Sequence, residues 1–74
     1  MFARLPNLTA KDARRAFESV GFRTVGQSGS HVKLQNDEGI TLIIPMHHGD
    51  LKRPLLKALI KQAKLTEAAF RKLL

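Results

Sequence analysis

The fold is decided by residues 29–47, GSHVKLQNDEGITLIIPMH. Apolar and polar side chains alternate over 30–35, as they do in a strand that buries one face. A second apolar segment, 40–44, precedes Pro45, which cannot donate a backbone hydrogen bond and is expected to end the strand. Residues 37–39 separate the two segments and read Asp-Glu-Gly, which is typical of a short hairpin loop. We therefore predict two antiparallel strands.

The loop also predicts how the two strands are paired. A loop of type I geometry that ends with Gly39 in the left-handed conformation puts the apolar side chains of both strands on one face. The expected pairs are Val32 with Ile44 and Leu34 with Leu42. A shift of one residue would place His31 and Lys33 among those apolar side chains, which is unfavourable. In the predicted register His31 lies opposite Pro45, so residues 46–48 must lie close to His31.

The segment that precedes the hairpin predicts one helix. Thr9 and Asp12 fit a capping box at the start of a helix over residues 10–20. Gly21 supplies the left-handed residue that ends it. The apolar stripe of this helix consists of Ala13, Ala16, Phe17 and Val20. Residues 1–8 contain proline and asparagine and are expected to form a loosely held leader.

The remaining segments complete an α+β fold. Residues 22–27 predict another strand, with a turn at 28–29. Pro54 fits the first turn of a long helix, and Thr66 can cap a short last helix. The side chains expected to face the core from these helices are Leu55, Leu56, Leu59, Ile60, Ala63, Phe70, Leu73 and Leu74. We predict one domain over residues 1–74: a helix, a three-stranded antiparallel sheet, a helix and a short C-terminal helix, with the helices on one sheet face.

Composition narrows the possible partners. Thirteen Lys and Arg against six Asp and Glu give a net charge of +7, which attracts polyanions, with nucleic acid favoured over membranes. The chain has no cysteine, which excludes disulfides and thiolate metal sites. It contains neither an apolar run long enough for a membrane span nor a signal-peptide pattern, so we expect a cytoplasmic protein without a membrane partner.

Three features, in this order, resemble the HicA family of toxin ribonucleases (mRNA interferases, YcfA-like). They are Gly-Ser-His at 29–31, Pro-x-His at 45–47, and a helix rich in Lys and Leu near the C-terminus. The resemblance spans roughly residues 8–74. It implies a shape like a double-stranded-RNA-binding domain, metal-independent cleavage of mRNA without a cofactor, and inhibition by a HicB-like antitoxin. The chain departs from the family at 52–55, where Lys-Arg-Pro-Leu replaces a Lys-Gly-Thr-Leu-like segment.

His31 is the candidate catalytic residue. An imidazole exposed on a strand can take or give a proton at neutral pH, and the resemblance assigns catalysis to this position. Gly29 and Ser30 are candidate supporting residues that hold the start of the strand. His47 matches the Pro-x-His position and could act as a second acid, orient the substrate, or cap the loop before the long helix. The histidines and Asp50 do not have an established metal-ligand spacing, so no metal site is predicted.

Basic residues supply the candidate RNA contacts. Lys33 lies two residues after His31 on the same strand face and is the expected phosphate contact at the scissile site. The others are Lys52, Arg53, Lys57 and Lys61, which with Lys64 follow the outer side of the predicted long helix. The chain has no Tyr or Trp, so little base stacking and a weak sequence preference are expected.

Two alternatives to a ribonuclease are compatible with the same pattern. The first is a non-catalytic RNA-binding module of the same fold, which would bind RNA with a steep salt dependence and leave the strand intact. The second is a small structural protein of a ribonucleoprotein. His31 favours the enzyme, because binding to the RNA backbone alone does not require a histidine.

Overall fold

The three strands form one antiparallel sheet in the order β1-β2-β3, with the helices packed on one face. The computed structural model describes residues 5–74, and its elements are α1 (Ala10–Glu18), β1 (Arg23–Ser28), β2 (His31–Gln35), β3 (Thr41–Pro45), α2 (Arg53–Gln62) and α3 (Glu67–Arg71). This confirms the predicted α+β class and is consistent with a fold like that of double-stranded-RNA-binding domains. No helix of the described part is long and apolar enough to cross a membrane.

The predicted register of the β2–β3 hairpin is confirmed. The cross-strand partners include His31 and Pro45, Val32 and Ile44, and Leu34 and Leu42. Gly39 is left-handed with φ of +80°. The Asn36 side-chain oxygen accepts hydrogen bonds from the backbone N–H groups of Glu38 (3.1 Å) and Ile40 (2.9 Å). Because this side chain takes the Ile40 N–H, β3 begins at Thr41, one residue later than predicted.

β3 ends at Pro45 itself, one residue later than the predicted end at Ile44. In an antiparallel ladder only alternate residue pairs exchange backbone hydrogen bonds. Asn36 donates to Ile40, and Met46 donates to the Ser30 carbonyl, so the pair of His31 and Pro45 lies between bonded pairs. The missing N–H of Pro45 therefore costs no ladder bond, and pairing continues past it.

β1 lies one residue later than predicted. Phe22 is buried rather than paired, and the strand ends in a two-residue loop of Gly29 and Ser30. Gly29 alone in this loop has a positive φ, +59°, which is the pattern of a type II′ turn. Pairing with β2 shifts between Thr24 and Gly26, which leaves Val25 as a bulge residue on this edge strand.

Phe17 is the centre of the core. Its ring is fully buried and lies 5.8 Å from the Phe22 ring and 5.1 Å from the Phe70 ring, measured between centroids. The buried residues of the strands and of α2 around it are Val32, Leu34, Leu42, Ile44, Leu56, Leu59 and Ile60. Three separate segments of the chain thus meet at one aromatic cluster on the helix-covered face of the sheet.

The N-terminal segment is not a loose leader where the structure describes it. Leu5 and Leu8 are only 2% and 7% exposed and belong to the core. The Leu51 N–H donates to the Leu8 carbonyl at 2.7 Å, and Thr9 forms an isolated bridge with Asp50. The segment therefore closes the core against the loop that follows β3. Residues 1–4 of the predicted leader lie outside the described residues.

Two predicted core positions are wrong. Val20 is 39% exposed because α1 ends at Glu18, so Val20 no longer follows the helical stripe. Leu74 is 51% exposed, since it follows the last residue of α3. Leu55 and Leu73 are only half-buried and pack at the margin of the core.

The predicted helix caps are confirmed. The Thr9 hydroxyl accepts from the Asp12 N–H at 3.1 Å, and the Asp12 carboxylate accepts from the Thr9 N–H at 3.4 Å. Pro54 lies in the first turn of α2. The Thr66 hydroxyl accepts from the Ala69 N–H at 3.0 Å and caps α3.

α1 and α2 end with the same backbone motif but different residues. At α1 the Phe22 N–H donates to the Phe17 carbonyl, and Gly21 has φ of +98°. At α2 the Leu65 N–H donates to the Ile60 carbonyl, and the residue at the left-handed position is Lys64, with φ of +59°. A lysine here carries a steric penalty that glycine avoids.

Lys64→Gly is therefore expected to raise the free energy of unfolding by about 0.5–1 kcal/mol, since the relief of steric strain exceeds the entropic cost of glycine. The matched variant Gly21→Ala, at the equivalent position of α1, is expected to lower it by about 1 kcal/mol. Urea unfolding measures both. A Lys64→Gly variant less stable than the parent would contradict this account.

Candidate functional site

His31 begins β2 on the open face of the sheet. Along this strand His31 and Lys33 are exposed, whereas Val32 and Leu34 are buried under the helices. Within residues 5–74 no side chain or backbone group makes a hydrogen bond or ion pair with the His31 ring. Both ring nitrogens are thus free to exchange protons with a bound molecule.

The open face around His31 has two cross-strand rows. One row is Ser28, His31 and Pro45, and the next is Gly26, Lys33 and Ile43. His31 and Lys33 lie two residues apart on one strand, which separates their Cα atoms by roughly 7 Å. Neither row contains a carboxylate. An imidazole and an ammonium group therefore lie next to each other, and neither has a carboxylate in its own cross-strand row.

Gly29 and Ser30 hold the start of β2. Gly29 occupies the left-handed loop position, and its carbonyl accepts from the Gln27 side-chain amide at 3.2 Å. The Ser30 carbonyl accepts from the Met46 N–H, which ties the loop to the residue after β3. Both residues have a structural role in placing His31.

His47 follows β3 but faces α1. Its Nδ1 lies 3.1 Å from the His48 carbonyl oxygen, so the tautomer with a proton on Nδ1 donates there and leaves Nε2 without a partner among the described residues. His47 and His48 line a groove together with residues 9–11, 46 and 49, and His31 does not line it. The register brings the backbone of this loop to the end of the sheet where His31 lies, whereas the His47 ring belongs to a neighbouring groove.

The basic residues of α2 lie away from the open face. α2 packs on the helix-covered face through Leu56, Leu59 and Ile60, so the exposed Lys57 and Lys61 are not beside His31. Lys52, which precedes α2, is exposed. Lys64 follows the helix in the left-handed conformation rather than continuing the stripe.

Arg53 has a structural contact that the sequence did not predict. Its Nε donates to the Leu5 carbonyl at 3.2 Å, and its side chain is half-buried. The bond joins the start of α2 to the N-terminal segment, 48 residues away in sequence. No local pattern could have indicated it, because the acceptor is a backbone carbonyl.

Most of the candidate RNA contacts are not neutralised. Two arginines outside the candidate set are paired with carboxylates, Arg14 with Glu18 at 3.5 Å and Arg23 with Asp37 at 2.9 Å. Among the described residues no carboxylate pairs with the lysines predicted to bind RNA, Lys33, Lys52, Lys57 and Lys61. In the same part of the chain no group of three His, Asp or Glu side chains is arranged to hold a metal ion.

A matched pair of variants tests whether the hydrogen bond from Arg53 to Leu5 stabilises the fold. Arg53→Ala is expected to lower the free energy of unfolding by about 1 kcal/mol, because it removes the bond to Leu5. Lys57→Ala removes the same charge from the same helix but no intramolecular bond, and should change stability by less than about 0.5 kcal/mol. Urea unfolding compares the two, and equal stabilities would show that the Arg53 bond contributes nothing.

A comparison with models of known protein families finds a match that includes the candidate site. A family model described as "HicA toxin of bacterial toxin-antitoxin" matches residues 10–65. The match runs from the first residue of α1 through the sheet to the residue that closes α2, and thus includes His31, Lys33 and His47. No curated protein matches the chain.

Proposed function

The chain belongs to the HicA toxin family of bacterial toxin–antitoxin systems, and we propose from this premise that it is a metal-independent endoribonuclease. Membership makes it the toxin of such a pair. The substrate we propose is mRNA in the cytoplasm, with His31 as the general acid or base. The observation that carries the proposal is the exposed, unengaged imidazole of His31 beside Lys33, in two cross-strand rows that contain no carboxylate.

The chemistry requires a base, an acid and a phosphate-binding group. The 2′-hydroxyl loses its proton to the imidazole, O2′ bonds to phosphorus, the P–O5′ bond breaks, and O5′ takes a proton from the imidazolium or from water. The products are a 2′,3′-cyclic phosphate and a 5′-hydroxyl. Lys33 would hold the phosphate oxygens as charge develops on them. Gly29 and Ser30 would fix the position of His31, and His47 would orient the strand.

The distribution of basic residues supports a path for the RNA. A strand that crosses the open face at Lys33 and His31 reaches the end of the sheet, where the loop after β3 leads to Lys52 and Arg53. A longer RNA would then pass around this end toward Lys57 and Lys61 on α2. Contacts of this kind bind any sequence and weaken steeply with salt.

The family implies a toxin–antitoxin partnership, and we propose a HicB-like antitoxin as the partner. Its contact surface would cover His31 and Lys33 and exclude RNA from them. The net charge of +7 favours a partner surface rich in Asp and Glu. Ile43, which is exposed beside Lys33, would supply apolar contact at the centre of that surface.

His31→Ala is expected to reduce cleavage by at least about 100-fold, because general acid–base catalysis contributes this much or more. The measurement is cleavage of a labelled single-stranded RNA in excess EDTA, with the ends of the products identified. Gln35→Ala, on the same strand face but at its far end, is the control and should cleave like the parent. Both variants should unfold at the temperature of the parent, since neither side chain belongs to the core.

Two outcomes would overturn the proposal. A His31→Ala variant that cleaves at the parent rate would remove its centre. A parent that binds RNA with a steep salt dependence but leaves it intact would favour the non-catalytic RNA-binding module.

Lys33→Ala is expected to weaken cleavage about 10- to 100-fold, the effect of losing one charge-assisted phosphate contact. Lys33→Arg retains the charge and should recover most of the activity. Initial rates at subsaturating RNA measure both, and a Lys33→Ala variant with the parent rate would exclude this residue from the site.

A further inference from the structure

The groove beside α1 is a second surface at the catalytic end of the sheet, and we define it as the α1 groove. It is lined by residues 9–11 from the start of α1 and 46–49 from the loop after β3. Its two walls are held together by the bridge of Thr9 with Asp50 and by the Leu51 hydrogen bond to Leu8. The groove is therefore a fixed feature of the fold rather than a gap between loose segments.

The side chains of the α1 groove suit a nucleotide. Lys11 is exposed on one wall and has no ion-pair partner among the described residues. His47 and His48 supply imidazole rings and Met46 an apolar side chain on the other wall. None of the described lining residues is acidic, and the nearby Asp12 carboxylate is turned toward the Thr9 N–H. Imidazoles stack on bases, and lysine pairs with phosphate.

The position of the α1 groove relates it to His31. Pro45 lies directly opposite His31, and the next residue, Met46, both bonds to the Ser30 carbonyl and lines the groove. The groove thus begins one residue beyond the cross-strand row that contains His31. Met46 packs against the core, so the groove lies around the end of the sheet from His31, and an RNA strand bound at both must turn around this end.

We propose that the α1 groove binds the nucleotide next to the scissile phosphate, with its base against His47 and His48 and its phosphate paired with Lys11. This inference rests on the proposed ribonuclease function and names a second part of its substrate site. It also changes an expectation from composition: a chain without Tyr or Trp can still contact a base, through imidazoles that the fold brings to one groove.

The test uses the full-length protein and a four-nucleotide RNA with 2′-O-methyl groups, which binds but cannot be cleaved. Titration followed by NMR of the histidine ring protons should shift the His47 and His48 signals together with that of His31. Lys11→Ala and His48→Ala should each weaken binding about tenfold, the usual effect of one lost phosphate contact or one lost stack. His48→Phe keeps a stacking face and should retain most of the affinity.

Lys64→Gly is the charge-matched control for Lys11→Ala. It removes one positive charge at the far end of α2 and should change the affinity less than twofold. Equal losses in Lys11→Ala and Lys64→Gly would overturn the inference, because they would indicate a general effect of charge. Unshifted His47 and His48 signals at saturating RNA would also overturn it, as would an acidic peptide that shifts these signals at concentrations where the RNA does not.

Failure of this inference is distinguishable from failure of the proposed function. If the parent cleaves RNA in EDTA while the His47 and His48 signals stay unshifted, the ribonuclease proposal holds and the groove proposal fails. If the parent leaves RNA intact but binds the 2′-O-methyl RNA in the groove, the ribonuclease proposal fails and the groove remains a nucleotide-binding site.

Discussion

The pairing register of β2 with β3 is the constraint on which the rest of the structure depends. Side chains alternate between the two faces of a strand, so a shift of one residue would bury His31 and Lys33 and expose Val32 and Leu34. Two features oppose that shift: the positive φ of Gly39 in the loop, and the Asn36 side chain that binds two backbone N–H groups. The same few bonds thus determine both which residues form the core and which face solvent as a candidate site.

This division explains how a domain so small can carry an open site. Helices cover one sheet face only, and the core includes even Leu5 and Leu8 from the N-terminal segment. The side chains on the other face, among them His31, Lys33 and Ile43, contribute little to that core and are available for binding. Pro45 lies opposite the candidate catalytic residue, at a position where the ladder needs no backbone N–H, so a proline there does not weaken the sheet.

Local patterns predicted the parts of this structure that are determined locally. The hairpin register, the capping box of Thr9 and Asp12, and the left-handed conformation of Gly21 and Gly39 follow from residue type and spacing alone. The burial of Leu8 could not be predicted this way, because its partner Leu51 is distant in sequence. Nor could the α1 groove, whose walls come from segments that meet only through the bridge of Thr9 with Asp50. For the site, the alternation along β2 predicted that His31 and Lys33 share an exposed face.

The direction of the helices adds a last element to the candidate site. α1 begins beside the loop that follows β3, and α2 begins after the same loop, so the N-termini of both lie toward the end of the sheet where His31 is found. Helix N-termini carry partial positive charge.

At the other end lie Asp37 and Glu38 in the hairpin loop and Glu18 at the end of α1, with Arg23 and Arg14 paired to two of them. Asp50 is exposed near the His31 end and Asp12 is engaged in its cap, so the unpaired cations Lys11, Lys33 and Lys52 dominate there. A polyanion approaching by diffusion is therefore attracted first to the end of the molecule that carries His31 and the α1 groove.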